Sequence, residues 1–325
     1  MYPELFEIPF LNVTVKSYGV MMVIGFMLAV HIIRKLSKKI TLDPQLITNA
    51  ALYALVAGVS GARLFYVIHN FDQFRNNLLS VFAIWQGGYE LLGGVILAIT
   101  VIIMYMRYHK LPVRKYLDIL AIGLLMALVF GRIGCFLSGC CWGKPTNLPW
   151  AIRFPYGSYV YNSQINPDLK RNRPEPYLKL PDDFFEQVKE NNNWYIRLKP
   201  FENLTDSQKQ LVTTGKYRAL PVHPAQFYSS ANAAICCFLL FRFWRRSQKA
   251  SENKDRKKIL TKPGGTFALM FILYGVTRFC LEFIRDDNPF EFDNLTISQN
   301  IAIGMVIFGL ILMTIFQKIN NAKAV

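Results

Sequence analysis

Polar and ionisable side chains of this chain concentrate at a few places inside otherwise apolar surroundings, and those places are where chemistry could occur. The run Gly131-Arg132-Ile133-Gly134-Cys135-Phe136-Leu137-Ser138-Gly139-Cys140-Cys141-Trp142-Gly143-Lys144-Pro145 closes a long apolar segment. Closely spaced glycines let backbone approach a ligand or a neighbouring helix. Arg132 sits just inside the apolar part, where a cation is costly and is normally paired or aimed at an anionic substrate. A second stretch places Tyr274, Arg278, Glu282 and Arg285 at spacings of four, four and three, so that they share one helical face. Such a stripe serves either as an internal ion pair that orients the helix or as the lining of a cavity, and four polar residues in line favour the cavity.

The third stretch is His223-Pro224-Ala225-Gln226-Phe227-Tyr228. Pro224 suits the first turn of a helix because it has no amide proton to leave unsatisfied, which stands His223 at the helix start with Gln226 and Tyr228 on its first turns. There a histidine acts as a cap, a structural hydrogen-bonder or a proton acceptor. Tyr18-Gly19 and Gly61-Ala62-Arg63 complete the set. Arg63, Arg132, Arg278 and Arg285 are all expected toward one membrane face, and converging guanidiniums match phosphate or carboxylate. The six cysteines, at 135, 140, 141, 236, 237 and 280, lie in or beside apolar runs. Cys135 with the adjacent pair Cys140-Cys141 lacks the two separated pairs of a structural zinc site, so no metal is expected and most are read as packing residues. Thiol redox chemistry is the other reading of this group.

The elements that must position these residues are membrane spans. Of 325 residues 52% are apolar and 14% aromatic, a membrane-like composition. Seven apolar runs approach the 20 or so residues that a bilayer requires: Tyr18–Ile33, Leu46–Ile68, Ile84–Met106, Leu117–Ser138, Pro224–Phe243, Gly265–Ile284 and Ile297–Phe316. The net charge of +16 follows topology rather than nucleic-acid binding. Arg34, Lys35, Lys38 and Lys39, then Arg107, Lys110, Arg114 and Lys115, then the run 242–262 make one set of connections basic. The opposite set, with Asp72 and Arg75 and with Arg285, Asp286, Asp287, Glu291 and Asp293, is near neutral or acidic. That alternation predicts the N-terminus outside and the C-terminus inside. The first apolar run lacks a basic leader and a small-residue cleavage site, so it is expected to stay as an anchor.

Between the fourth and fifth spans, residues 139–222 form the one long polar stretch, predicted to be a small α+β extracytoplasmic domain. Within it Trp150–Phe154 and Trp194–Leu198 alternate like strands, and Pro181–Glu190 is expected to be a short helix. Its twelve lysines and arginines either face anionic lipid or make a solvated surface. The chain thus divides into 1–138 with four spans, the outer domain, and 223–325 with three, an all-α membrane protein of about seven transmembrane helices.

These motifs, in this order, resemble the prolipoprotein diacylglyceryl transferases of bacterial cytoplasmic membranes. The resemblance covers nearly the whole chain and rests on Tyr18-Gly19, Gly61-Ala62-Arg63, the stretch from Trp85-Gln86-Gly87-Gly88 to Gly93-Gly94, Gly131-Arg132-x-Gly134, His223-Pro224-x-Gln226-x-Tyr228 and Arg278-Phe279-x-x-Glu282-Phe283-x-Arg285. It implies a multi-pass inner-membrane enzyme with its site toward the extracytoplasmic side. The implied reaction moves a diacylglyceryl group from phosphatidylglycerol to the lipobox cysteine thiol of a prolipoprotein and releases glycerol phosphate. No cofactor and no nucleic acid is implied, the partners being phosphatidylglycerol, the signal peptides and membrane lipid, and the chain is expected to be a monomer. Substitution at a glycerol carbon needs a thiolate, a base or field that favours it, and cations on the departing phosphate. The resemblance assigns Arg132 and Arg278 to the phosphate, Glu282 to orienting Arg278, and Tyr18 and Tyr274 to positioning head group or peptide. His223 joins the catalytic set, while Arg63, Gly134, Cys135, Cys140, Gly143, Gln226, Tyr228 and Arg285 line the substrates.

Several positions depart from the family pattern. Leu92 stands where many members have a histidine and others a tyrosine, Cys135 and Ser138 replace asparagines, Cys140 replaces an acidic residue, and Ser229 replaces a glutamate. Two readings follow: an active subgroup that recruits His223 or Tyr89 and Glu90 as the base, or a paralogue that binds or moves lipid without transfer. The intact arginines and Glu282 favour the first.

Overall fold

The computed structural model describes residues 4–8, 13–40, 43–75, 78–82, 87–190, 193–252, 262–292 and 294–322. In chain order these contain β1 (Glu4–Ile8), β2 (Val13–Lys16), α1 (Ser17–Ser37), α2 (Pro44–His69), α3 (Phe71–Phe74), α4 (Leu91–Tyr108), α5 (Val113–Ser138), α6 (Tyr159–Ile165), β3 (Phe185–Glu190), β4 (Asn193–Leu198), α7 (Asp206–Thr213), α8 (Ala225–Glu252), α9 (Gly265–Glu282), β5 (Phe290–Phe292), β6 (Leu295–Thr296) and α10 (Ile297–Ala322). The strands pair into three antiparallel two-stranded sheets, β1 with β2, β3 with β4 and β5 with β6. Among the described residues six helices, α1, α2, α5, α8, α9 and α10, are long and apolar enough to cross a membrane. The protein is therefore a largely helical membrane protein.

The third expected span differs at its start. Residues 83–86 lie outside the described ones, and Gly87 and Gly88 adopt φ of 83° and 75°, so the shorter apolar helix α4 begins only at Leu91. Residues 253–261 of the basic run 242–262 also lie outside the described residues.

Helix pairing depends on small residues, as it must where lipid removes the hydrophobic incentive between helices. A Cβ at Gly61 of α2 would meet the Gly93 carbonyl oxygen of α4 at 2.6 Å, and one at Gly309 of α10 would meet the Ala268 oxygen of α9 at 2.9 Å. Backbones touch there, and larger side chains would separate the helices. The main core, with Ile47, Met106, Tyr116, Ile119, Ile122, Leu125, Leu240, Trp244 and Met270 buried, draws on α2, α4, α5, α8 and α9.

Contacts at the helix ends sort the bundle into two poles. At one, the buried Asp118 near the start of α5 accepts the Gly264 and Phe267 amides at the start of α9, both at 2.8 Å, and Lys262 donates to the Gln317 carbonyl near the end of α10. At the other gather the starts of α1, α8 and α10 with the ends of α5 and α9. The polar candidates belong to this second pole.

Residues 139–222 fold above it. α6, the β3–β4 hairpin and α7 enclose small cores around Tyr161, Ile165 and Ala219 and around Phe184, Leu204 and Val212. The stretch 181–190 corrects the helix expected there: one 3-10 turn, Asp182–Phe184, leads into strand β3. Its alternation is satisfied across the strand partner, from Phe185 opposite Leu198 to Glu190 opposite Asn193. Trp150–Phe154 is likewise no full strand, since only Ile152 bridges, to Val222, which also bridges Pro145. Prolines 149 and 155 close the ladder on either side because they offer no amide proton.

Asp118 generates a test. Replacing it by Ala leaves two buried amides at the α9 N-terminus without an acceptor and is expected to cost about 1–3 kcal/mol. Thermal unfolding in detergent should show a lower midpoint for Asp118→Ala than for Asp118→Asn, which keeps one acceptor.

Candidate active site at one pole of the helix bundle

The site is built around the buried carboxylate of Glu282 in the last turn of α9. Helical spacing puts Arg278 one turn earlier, where its Nη1 lies 2.5 Å from Glu282 Oε2. Arg278 Nη2 also donates to Ser298 Oγ at 3.0 Å, in the first turn of α10. The other Glu282 oxygen accepts from Thr296 Oγ1 at 2.9 Å and from Asn288 Nδ2. Thr296 in turn caps α10: its hydroxyl accepts the Gln299 amide at 3.3 Å, and Gln299 Oε1 accepts the Thr296 amide at 3.0 Å, a reciprocal capping box. One threonine therefore sets the α10 start and holds the carboxylate.

Arg285 completes this group by another route than the one expected. The helix ends at Glu282, so Arg285 stands beyond it rather than on the α9 stripe. Its amide still bonds the Glu282 carbonyl at 3.1 Å, and its Nε reaches Glu282 Oε2 at 3.8 Å. The guanidinium is gripped by both oxygens of Asp287, Nε to Oδ1 at 2.7 Å and Nη2 to Oδ2. Burial works against this cation, but the Asp287 carboxylate outweighs it and raises the Arg285 pKa.

Arg132 approaches from α5. Its Nη1 points at Cys141 Sγ at 3.8 Å, and its guanidinium also interacts with the Tyr274 hydroxyl of α9. Among the described residues no carboxylate pairs with it. Arg278 and Arg132 are close enough to repel, and Tyr18, at the start of α1, interacts electrostatically with Arg132, Cys135 and Cys140. Gly134 lets Tyr18 in, since a Cβ there would meet its ring at 3.0 Å. Three guanidiniums, Arg132, Arg278 and Arg285, thus face two carboxylates, Glu282 and Asp287, and one positive charge is in excess.

A loop after α5 ties these helices together. Gly139 in the left-handed region, φ 75°, ends α5. Residues 142–144 then pass between two other chain segments: the Gly143 amide bonds the His223 carbonyl at 3.2 Å, the Lys144 amide bonds Ile284 O at 2.8 Å, and the Asp286 amide bonds Trp142 O at 3.1 Å. Gly143 is required by space, because a Cβ would lie 2.6 Å from His223 Cβ and 3.1 Å from Ile284 O. From α8, the buried Gln226 donates to Cys140 O at 2.7 Å. His223 Nδ1 faces Tyr228 Oη at 3.4 Å, and Tyr228 also accepts from Trp150 Nε1 at 2.6 Å. Partial burial lowers the His223 pKa, so the imidazole is neutral at pH 7.

Cys135, Cys140 and Cys141 end with their three sulfur atoms within 4.8 Å of one another, although their spacing argued for unrelated packing roles. The Cys141 thiol is held below its ordinary pKa, first by hydrogen bonds from Cys135 and Cys140 and then by Arg285 and Arg132.

The structure thus brings together Tyr18, Arg132, Gly134, Cys135, Cys140, Tyr274, Arg278, Glu282 and Arg285, with Gln226, Gly143, His223 and Tyr228 on the adjoining loop and helix start. Arg63 is used differently. Four of its N–H groups go to backbone carbonyls, Val81 at 3.0 Å, Gly87 at 2.5 Å, Gly88 at 3.2 Å and Ser80 at 2.8 Å, so it organises the segment before α4. Glu90, a possible substitute base, is bound by His69 Nδ1 at 2.7 Å, and Leu92 is 64% exposed. Sequence reasoning passed over Cys141, Asp287, Asn288, Thr296 and Ser298 as site residues. The capping box Thr296-x-x-Gln299 was the available signal, because it marks where α10 must begin.

A family model described as prolipoprotein diacylglyceryl transferase matches residues 3–315. The chain belongs to that family. A phosphatidylglycerol–prolipoprotein diacylglyceryl transferase of Clostridium tetani is 26% identical over 97% of this chain and 98% of its own. One of Buchnera aphidicola is 31% identical over 96% of each, and one of Stenotrophomonas maltophilia 28% over 94% and 89%.

Removing the shared carboxylate tests the cluster. Glu282→Ala leaves two guanidiniums facing each other without it and is expected to cost about 3–5 kcal/mol. Denaturant unfolding in mixed micelles should register this loss, with Glu282→Gln falling in between.

Proposed function

We propose that this protein transfers the diacylglyceryl group of phosphatidylglycerol to the lipobox cysteine thiol of a prolipoprotein. The acceptor sulfur attacks the glyceryl carbon, the bond from that carbon to the phosphate oxygen breaks, and glycerol phosphate leaves with the electron pair. The observation that carries this reading is Arg132, a cation at the end of an apolar helix with no carboxylate partner among the described residues. A half-buried guanidinium left without a carboxylate beside two matched ones is arranged for an incoming anion, and the phosphodiester supplies it. Family membership supports the same anion.

In this reading Arg132 and Arg278 hold the phosphate, and their charge stabilises the one that grows on the departing oxygen. Glu282 positions Arg278, and Arg285 holds the loop to α9. Tyr18, at the start of α1, and Tyr274, on α9, orient head group and peptide. His223, neutral at pH 7, accepts the thiol proton. The cluster faces the extracytoplasmic side of a bacterial inner membrane, with α4 as a seventh span, the N-terminus outside, residues 139–222 as the outer domain and a single chain as the working unit.

The test uses purified protein in phosphatidylglycerol vesicles with a lipobox peptide. Expected are a thioether-linked diacylglyceryl peptide and an equal amount of soluble glycerol phosphate. Arg132→Ala should lower the rate by at least about 100-fold, the scale seen when one charge-stabilising donor is lost. Lipid binding without release of glycerol phosphate would identify a lipid-binding protein instead.

A further inference from the structure

In the proposed reaction the acceptor thiol gives its proton to His223, and with Leu92 and Cys140 in place of the ionisable groups of the family pattern a further group that acidifies the thiol is needed. The three cysteines gathered at that place answer it. Cys135 lies on the last turns of α5 and Cys140 and Cys141 follow the turn at Gly139, so their convergence depends on the backbone reversing twice. Gly139 does so at φ 75° and Cys141 at φ 60°. Of the four non-glycine residues at positive φ among those described, two are asparagines, which tolerate it, whereas a cysteine there is uncommon. The strained residue is thus the one whose sulfur must turn toward the other two.

The dimensions fit a soft metal ion. Zinc–sulfur bonds of about 2.3 Å in tetrahedral geometry set sulfurs roughly 3.8 Å apart. The three here lie within 4.8 Å of one another, a difference that small side-chain rotations close. Arg132 Nη1 lies 3.8 Å from Cys141 Sγ, a hydrogen-bond donor beside the three sulfurs. Three protein ligands leave a fourth position open, the pattern of catalytic rather than structural zinc.

We propose that Cys135, Cys140 and Cys141 form a three-thiolate site for a zinc-class divalent ion whose open position binds the acceptor cysteine of the prolipoprotein. This rests on the transferase reading above and names what acidifies the thiol whose proton His223 accepts. A thiol on such an ion loses its proton at neutral pH, and His223 carries that proton to solvent. The metal-bound sulfur then attacks the glyceryl carbon, the carbon–oxygen bond breaks toward phosphate, and the thioether leaves as a weaker ligand. Nothing is oxidised or reduced, so no further reactant is needed.

The experiment measures metal and transfer separately on the full-length protein in detergent. After loading with Zn2+ and desalting, about one ion per chain is expected, falling below about a tenth in Cys141→Ser and unchanged in Cys280→Ser, whose side chain is exposed. With Co2+ in place of Zn2+, thiolate-to-metal charge-transfer absorption should appear. Its ligand-field bands should move when a lipobox peptide is added, and stay fixed for the same peptide with serine at the acceptor position. These spectra are read on the unmutated chain, so they hold even where a cysteine variant fails to fold. Active protein with no bound metal, a disulfide between any two of the three cysteines in active protein, or spectra indifferent to the acceptor cysteine would each overturn the proposal and leave the transferase reading intact. Stoichiometric metal with no transfer of diacylglycerol would overturn the transferase reading and, with it, the role given to the open position.

Discussion

A carboxylate removed from water must be neutralised and hydrogen-bonded where it stands, and Glu282 meets that requirement with partners from three directions. Arg278 comes from its own helix, Arg285 and Asn288 from the turn that follows, and Thr296 from the start of α10. Because the partners sit on separate elements, the carboxylate fixes the angle at which α9 gives way to the turn and α10 begins. Ser298, on that same first turn of α10, then binds the other edge of Arg278. Arg278 and Arg285 are both tied to this carboxylate, and Arg278 through Ser298 to the start of α10.

Arg132 stands apart from the network, and the proposed function turns on that separation. Arg285 is answered by Asp287 and Arg278 by Glu282, while Arg132 has a thiol and a phenol for neighbours. A fully compensated cluster would hold its helices together and have no further use for an anion. One unanswered guanidinium, at the end of α5, is what the proposed function assigns to the phosphodiester.

The loop after α5 connects this charge arrangement to the helix that begins at Ala225. Hydrogen bonds at Trp142, Gly143 and Lys144 reach both His223 and the 284–286 segment, which ties the loop to the start of α8 and to the end of α9. Gly143 is the point of closest approach, and no other side chain fits there. The opposite pole is closed independently by Asp118 on the α9 N-terminus, so α9 is held at both ends.

Much of this was legible in the residue order because it is local. Apolar runs of bilayer length, the four-residue spacing of Tyr274, Arg278 and Glu282, and Pro224 before α8 are properties of one segment at a time, set by helical periodicity and by the imino nitrogen of proline. The capping box at Thr296 and Gln299 was equally local, and reading it would have located the Glu282 partner. What only the tertiary structure decided are contacts between segments that share no periodicity. Arg63 looked like its fellow arginines until its N–H groups were found on carbonyls 17 to 25 residues away. Residues 185–190 became a strand because a partner strand was there to pair with them. The three cysteines met because two consecutive reversals of the backbone, one at a residue that does not ordinarily make them, turned a poor spacing in sequence into a common point in space.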